Sequence, residues 1–231
     1  GLQVPVPAIA SITGTPATAH LAALGHVQPF TAVARDASGA VIPNVPFAWS
    51  GNAPAVAAVD PATGTATASA NGTAQVTAAA GETSGSAALT VQQAVTGIDV
   101  TPAAATLAAY GATQAFAATA RDANGHPVAG VSFTWSSADP AVATVDAQAG
   151  LATVTGPGMT GIMATGGGLV GTGALTAAVP AVASVIITPS HAVVKGAGAT
   201  FQFTAMARDS AGQVIPGVAF SWTSSKPQVA T

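Results

Sequence analysis

The chain writes one phrase three times. "FAWSGNAPAVAAVD" begins at Phe47, "FTWSSADPAVATVD" at Phe133 and "FSWTSSKPQVAT" at Phe220, so equivalent residues stand 86 and then 87 apart. Repetition at this period outranks any local motif, because each copy is long enough to bury a core of its own. The first two copies align without a gap from Ile12, Thr15 and Pro16 against Ile98, Thr101 and Pro102 through to Leu89 against Leu175, and the third needs one extra residue. This divides the chain into residues 8–93, 94–180 and a partial copy at 181–231. Residues 1–7 read as the closing strand of a preceding copy, because "LQVPVPAIASI" at 2–12 matches "LTAAVPAVASV" at 175–185. The third copy stops at Thr231, the place of Thr144, before any counterpart of Val145 to Ala177. The expectation is a window on a longer array that continues in both directions. Completion of the half-copy by strands from neighbouring chains is the alternative.

Within each copy the apolar signal has period two, which places alternate side chains on one face of a strand. Val45, Phe47 and Trp49, then Val131, Phe133 and Trp135, then Val218, Phe220 and Trp222 share such a face. A helix would scatter them, so the Phe and Trp of each trio are core candidates. Upstream, Phe30, Phe116 and Phe203 are each followed by Ala two and four residues on. Between these strands stand "DASG", "DANG" and "DSAG". Asp36, Asp122 and Asp209 can accept backbone N–H groups just ahead of them, and Gly39, Gly125 and Gly212 can take positive φ, so each stretch is a turn. The two strands flanking the turn are expected to pair with each other. "PATG" at 61–64, "NG" at 71–72, read as a two-residue hairpin, and "GETSG" at 81–85 add turns at sandwich spacing. Seven short strands per copy, in two antiparallel sheets packed face to face, give an all-β chain of tandem immunoglobulin-like sandwiches. With no Cys, they are held without disulfides.

Composition narrows the function classes. Charged residues make up 6% of the chain, against about 25% in ordinary proteins, and 8 acids and 5 bases are scattered along it. No basic stripe meets nucleic acid, and no apolar run reaches the length of a membrane span. A thiolate metal site and a cysteine nucleophile are excluded with the Cys. Calcium binding calls for several oxygens on one loop, yet Asp99 is matched by Thr13 and Ile186 in the other copies. His20, His26, His126 and His191 occupy unmatched positions. No acid, base and nucleophile cluster emerges, so no enzyme and no cofactor is expected. The recurring Arg35–Asp36, Arg121–Asp122 and Arg208–Asp209 pairs read as a turn Asp beside a solvated strand-end Arg.

The stretch "TPAAATLAAYGATQAFAATARDANGHPVAGVSFTWSSADPAVATVD" at 101–146 resembles the bacterial immunoglobulin-like group 2 domains. Its "DANGHPVAGV" turn is also similar to the invasin-type group 1 repeats. The resemblance covers nearly the whole chain and implies tandem modules of extracellular or cell-surface assemblies, such as stalks, filaments or sheaths, without catalysis. An adhesin module binding a glycan or host protein, and a phage appendage domain, are the alternatives it leaves open. The low charge leaves Ala, Thr, Ser and Gly facing outward, a surface suited to close packing against copies of itself. Self-association, with a glycan or surface protein as other partners, is therefore the expectation.

Overall fold

A computed structural model describes residues 8–229, so the closing strand assigned to residues 1–7 lies outside the described residues. Every described element is a strand. The chain divides into two compact units, Gly1–Gly97 with Thr119–Val131, and Ile98–Ala118 with Ser132–Thr231.

In the first unit, strand β1 (Ser11–Thr15) is followed by β2 (Thr18–Leu21), β3 (Val27–Pro29), β4 (Thr31–Arg35), β5 (Val41–Ile42), β6 (Ala48–Gly51), β7 (Ala57–Val59), β8 (Thr65–Ala68), β9 (Gly72–Ala80) and β10 (Thr83–Val91). They form sheets of order β1-β4-β5, β2-β10-β9-β6 and β3-β8-β7. Ten strands replace the seven expected, because Pro16–Ala17 and Phe30 interrupt what the alternation suggests are continuous strands and the two-residue β5 stands apart from the Trp strand β6. The Thr15–Pro16 bond is cis, as are Thr101–Pro102 and Thr188–Pro189. After Pro16 the chain leaves β4 and runs beside β10, in parallel, with Ala88 opposite Thr18 and Val91 opposite Leu21. The sheets are therefore not wholly antiparallel. A second correction concerns the Asp turn, which pairs β4 with β5, Arg35 opposite Val41, and not with the Trp strand. Asn44, at φ 59°, turns the chain away, and β6 pairs instead with β9, Trp49 opposite Ala78. Nor is "NG" a two-residue hairpin: β8 and β9, on either side of it, belong to different sheets. The Gly81–Glu82 turn does join paired strands, with Thr83 opposite Ala80.

The second copy repeats the plan. Strands β11 (Gly97–Thr101), β12 (Ala104–Leu107), β13 (Thr113–Ala115), β14 (Ala117–Arg121), β15 (Thr134–Ser137), β16 (Ala143–Val145), β17 (Leu151–Val154), β18 (Gly158–Gly166) and β19 (Leu169–Ala177) follow in chain order. They include the sheets β12-β19-β18-β15 and β13-β17-β16. The glycine-rich segment makes a two-residue turn at Gly167–Gly168, with Gly166 opposite Leu169. The third copy contributes β20 (Ser184–Thr188), β21 (Thr204–Arg208) and β22 (Val214–Ile215) as one sheet.

Alternation decides which residues meet in each core. In the first copy Phe30, Trp49, Val76, Leu89 and Val91 cluster with Ala57, Ala66 and Ala78. In the second, Phe116, Trp135, Ile162 and Leu175 cluster with Ala143, Ala152 and Ala164. Leu89, Ile162 and Leu175 are fully buried, each contributing about 1.5–3 kcal/mol by removal from water. Trp49 and Trp135 are each 8% exposed, with Phe47 and Phe133 half-buried beside them. The ring of Trp49 lies against the turn glycine of "PATG", where a Cβ on Gly64 would fall 2.5 Å from its Cε2. Gly150 stands likewise under Trp135. The third copy departs from the core assignment: Trp222 is 52% exposed and Phe220 is half-buried. In the first two copies the ring is covered by Gly64 or Gly150 and by strand β9 or β18.

The aspartate hairpins as the candidate functional site

The Asp turns hold the chain's most organised polar chemistry. In each, one carboxylate oxygen closes the turn. Oδ1 of Asp36 accepts from the N–H and hydroxyl of Ser38 and from the N–H of Ala40, at 2.9, 2.6 and 3.0 Å. Oδ1 of Asp122 accepts from Asn124 and His126, and that of Asp209 from Ala211 and Gln213. Gly39, Gly125 and Gly212 sit at φ 84°, 80° and 80°, donating to the carbonyl of the same Asp. The Arg before each Asp reaches back onto the turn. Its Nη1 donates to the carbonyl of the turn glycine, Arg35 to Gly39, Arg121 to Gly125 and Arg208 to Gly212. Arg and Asp thus clamp the same hairpin from two sides.

Asp122 does more. It is 3% exposed, and its Oδ2 accepts from the Leu24 N–H at 2.9 Å and from Gln93 Nε2 at 2.9 Å. The neighbouring Asn124 Nδ2 donates to the Leu24 carbonyl at 2.7 Å, and Gln93 Nε2 also reaches the Pro127 carbonyl. Gln93 is itself held by Asn71, whose Oδ1 accepts its N–H at 2.7 Å. The hairpin of the second copy is therefore seated on a loop of the first, within one compact unit. Burial opposes the charge on Asp122, but the Gln93 amide and the Leu24, His126 and Asn124 N–H groups outweigh it, so the carboxyl is held well below the usual range. A carboxylate accepting several donors is stabilised in its ionised form. Asp36 is held down more modestly, chiefly by the Ser38 hydroxyl and the Ala40 N–H.

The loop that meets Asp122 recurs. His26 donates to the Ala23 carbonyl, Ala112 to Ala109 and Ala199 to Gly196, with Gly25, Gly111 and Gly198 at φ 75°, 74° and 80°. In the second unit Tyr110, the counterpart of Leu24, lies against Gly217, where an added Cβ would come 2.6 Å from the Tyr110 carbonyl oxygen. The Tyr110 hydroxyl donates to Pro180 O. Sequence reasoning found the turn role of Asp122 and missed the second one, since Gln93 is replaced by Val179 in the next copy and Leu24 carries no polar side chain.

His126 Nδ1 lies 3.7 Å from Asp122 Oδ1 with its own side chain half exposed. Among the described residues no three His, Asp or Glu side chains gather as a metal site, and no helix is long and apolar enough to cross a membrane.

Residues 10–91 match the family model of the bacterial Ig-like domain, group 2, and residues 122–168 that of the intimin immunoglobulin-like domain. No curated protein sequence matches the chain. Among solved structures, surface-layer protein SbsC, domains 1–6, is similar at 18% identity and a TM-score of 0.36, over 93% of this chain and 33% of that one. The chain thus spans about a third of that relative's length. The Escherichia coli adhesin FdeC is similar at 19% identity and a TM-score of 0.39, over 90% of this chain and 75% of that one. A C-terminal fragment of intimin, in complex with the intimin-binding domain of its translocated receptor, is similar at 16% identity and a TM-score of 0.34, over 81% of this chain and 69% of that one. The chain is thus a run of tandem disulfide-free immunoglobulin-like sandwiches, in which residues 10–91 match the bacterial Ig-like domain of group 2 and residues 122–168 the intimin immunoglobulin-like domain.

Proposed function

We propose that the chain is a non-catalytic structural module of a bacterial extracellular or cell-surface assembly, and that it associates with copies of the same repeat. The observation that carries this reading is the seat at Asp122. Its buried carboxylate is spent on holding one repeat's hairpin to the loop of the repeat before it, rather than on a cleft or ligand. The match of residues 10–91 to a bacterial Ig-like family supports the bacterial setting. The 6% charge content supports association, since a free domain ordinarily keeps soluble through its charge. An adhesin tip would carry exposed aromatic or charged side chains in one repeat and not in the others. Between the complete repeats the exposed differences in charge are single and scattered, Glu82 against Gly168, Asp99 against Thr13 and Asp139 against Ala53, and no aromatic among their described residues is exposed. Sedimentation velocity of the full chain across a concentration series tests the reading. Growth of larger species with concentration is expected, and a monomer persisting to the highest concentration contradicts it.

A further inference from the structure

The outer face of the sheet β12-β19-β18-β15, in the second copy, carries more apolar surface than the fold asks of it. Met159 and Met163 stand there on β18 and Val170 on β19. Met159 is 72% exposed, Val170 is 58% exposed and Met163 is half-buried. None of the three belongs to the core around Trp135. The register joins them into one line. Met163 lies opposite Thr172 and Val170 opposite Thr165, so Met163 and Val170 are diagonal neighbours, and both methionines are diagonal to Ala174, which faces Gly161. Diagonal partners stand about 7–8 Å apart, within reach of long side chains. In the first copy the same places hold Thr73, Thr77 and Ser84, on the matching face of β9 and β10. Hydroxyls therefore satisfy the sandwich at these positions, and packing within the copy does not account for methionine and valine. The four strands of the sheet contain no Asp, Glu, Lys or Arg. A continuous exposed apolar line with a polar rim, here of threonines, is the mark of a contact surface.

We infer that this face packs against the same face of a second copy of this chain, as the pairing step of the self-association reading on which the inference rests. A charged partner finds no counter-charge here, whereas two copies of an uncharged face come together without like-charge repulsion. Strands β18 and β19 have nine residues each and β12 and β15 four. At about 3.4 Å per residue and about 4.8 Å between strands, the face measures about 400 Å² on each chain. A stable interface takes about 800 Å² from each partner, so this pairing is weak and depends on concentration. Stacked sheets lie about 10 Å apart, a gap that Met159 and Met163 fill, since the unbranched methionine side chain adapts to irregular space. Both chains use one patch, so the contact is isologous.

Sedimentation of the full chain tests this by comparing wild type with two double variants. One is Met159→Lys with Val170→Lys, and the other is Thr73→Lys with Ser84→Lys, at the matching places of the first copy. All four residues are exposed on their strands, so the fold is kept, and both variants bring the formal net charge of −3 nearer zero. The second-copy variant should lower the association constant at least about tenfold, because charge is buried without a partner. The first-copy variant should leave it unchanged. Wild type is also treated with hydrogen peroxide across the concentration series, and methionine sulfoxide is read by peptide mass spectrometry. Oxidation of Met159 and Met163 should slow as chains associate, with Met206 on β21 as the reference. Association unchanged by the second-copy variant, or lowered equally by the first-copy variant, overturns this contact and leaves the self-association reading standing. Oxidation of Met159 at one rate while chains associate does the same. A wild-type chain that stays monomeric overturns both and leaves the face to a partner of another kind.

Discussion

Replacing Trp135 by Ala measures how the second sandwich is held together. The ring is 8% exposed and packs among Val100, Phe116, Ile162 and Leu175, with Ala143, Ala152 and Ala164 at full burial around it. Truncating a buried aromatic costs about 3–5 kcal/mol, the upper values belonging to sites that cannot collapse. Alanines have no side chain to swing into the void, and β18, paired on both edges by β15 and β19, cannot move inward without breaking a ladder. The cost should therefore fall near the top of that range, a large part of the total stability of about 5–15 kcal/mol usual for a domain. A multi-repeat chain need not melt in two states, so the readout is amide exchange along β18–β19. Exchange there should quicken by about two to four orders of magnitude. Trp222→Ala, at a ring 52% exposed, should change it by no more than an ordinary surface substitution, about 0.5 kcal/mol. A Trp135 effect below about 1 kcal/mol would refute the packing argument.

Other expectations follow from the same contacts. Gly150→Ala should destabilise by about 1–3 kcal/mol through overpacking, because its Cβ would fall 2.6 Å from Trp135 and 2.7 Å from the Phe116 carbonyl. Gly125→Ala, at the similar φ of 80° but with nothing within 4 Å, should cost only the left-handed strain of about 1–2 kcal/mol; equal melting temperatures for the two and wild type would contradict this. Gln93→Ala removes the leading donor that lowers the Asp122 pKa, so titration followed by NMR should show that carboxyl moving up toward the ordinary value, and no movement would count against the hydrogen bond. Asp122 titrates lower in the folded chain than unfolded, so its contribution is present above an unfolded value of about 3.9 and is lost as pH falls through the folded value. Thermal melts from neutral pH downward should show wild type and Asp122→Asn converging below about pH 4, and a constant gap would argue against an ionised Asp122.

The period and the alternation made the sandwich, its tandem copies and the Phe-Trp face legible, because they report which side chains lie on one face of a strand. They do not report which strand lies alongside. Hence the Asp turn was readable as a turn, while the pairing of β4 with the two-residue β5 was not: Asn44 and its positive φ send the Trp strand to the other sheet. Gly64 and Gly150 were legible as turn glycines, and their second role, making room for a Trp ring, depends on contacts with residues at least 15 positions away in sequence. The seat at Asp122 was hidden for a related reason. It is built from a main-chain N–H of Leu24, which any residue but proline would offer, and from Gln93, whose counterpart in the next copy is Val179.

Electron microscopy of the concentrated, purified chain tests the central claim most directly. The account predicts assemblies of several chains that grow as the concentration rises. Separate particles of single-chain size at every concentration would contradict it.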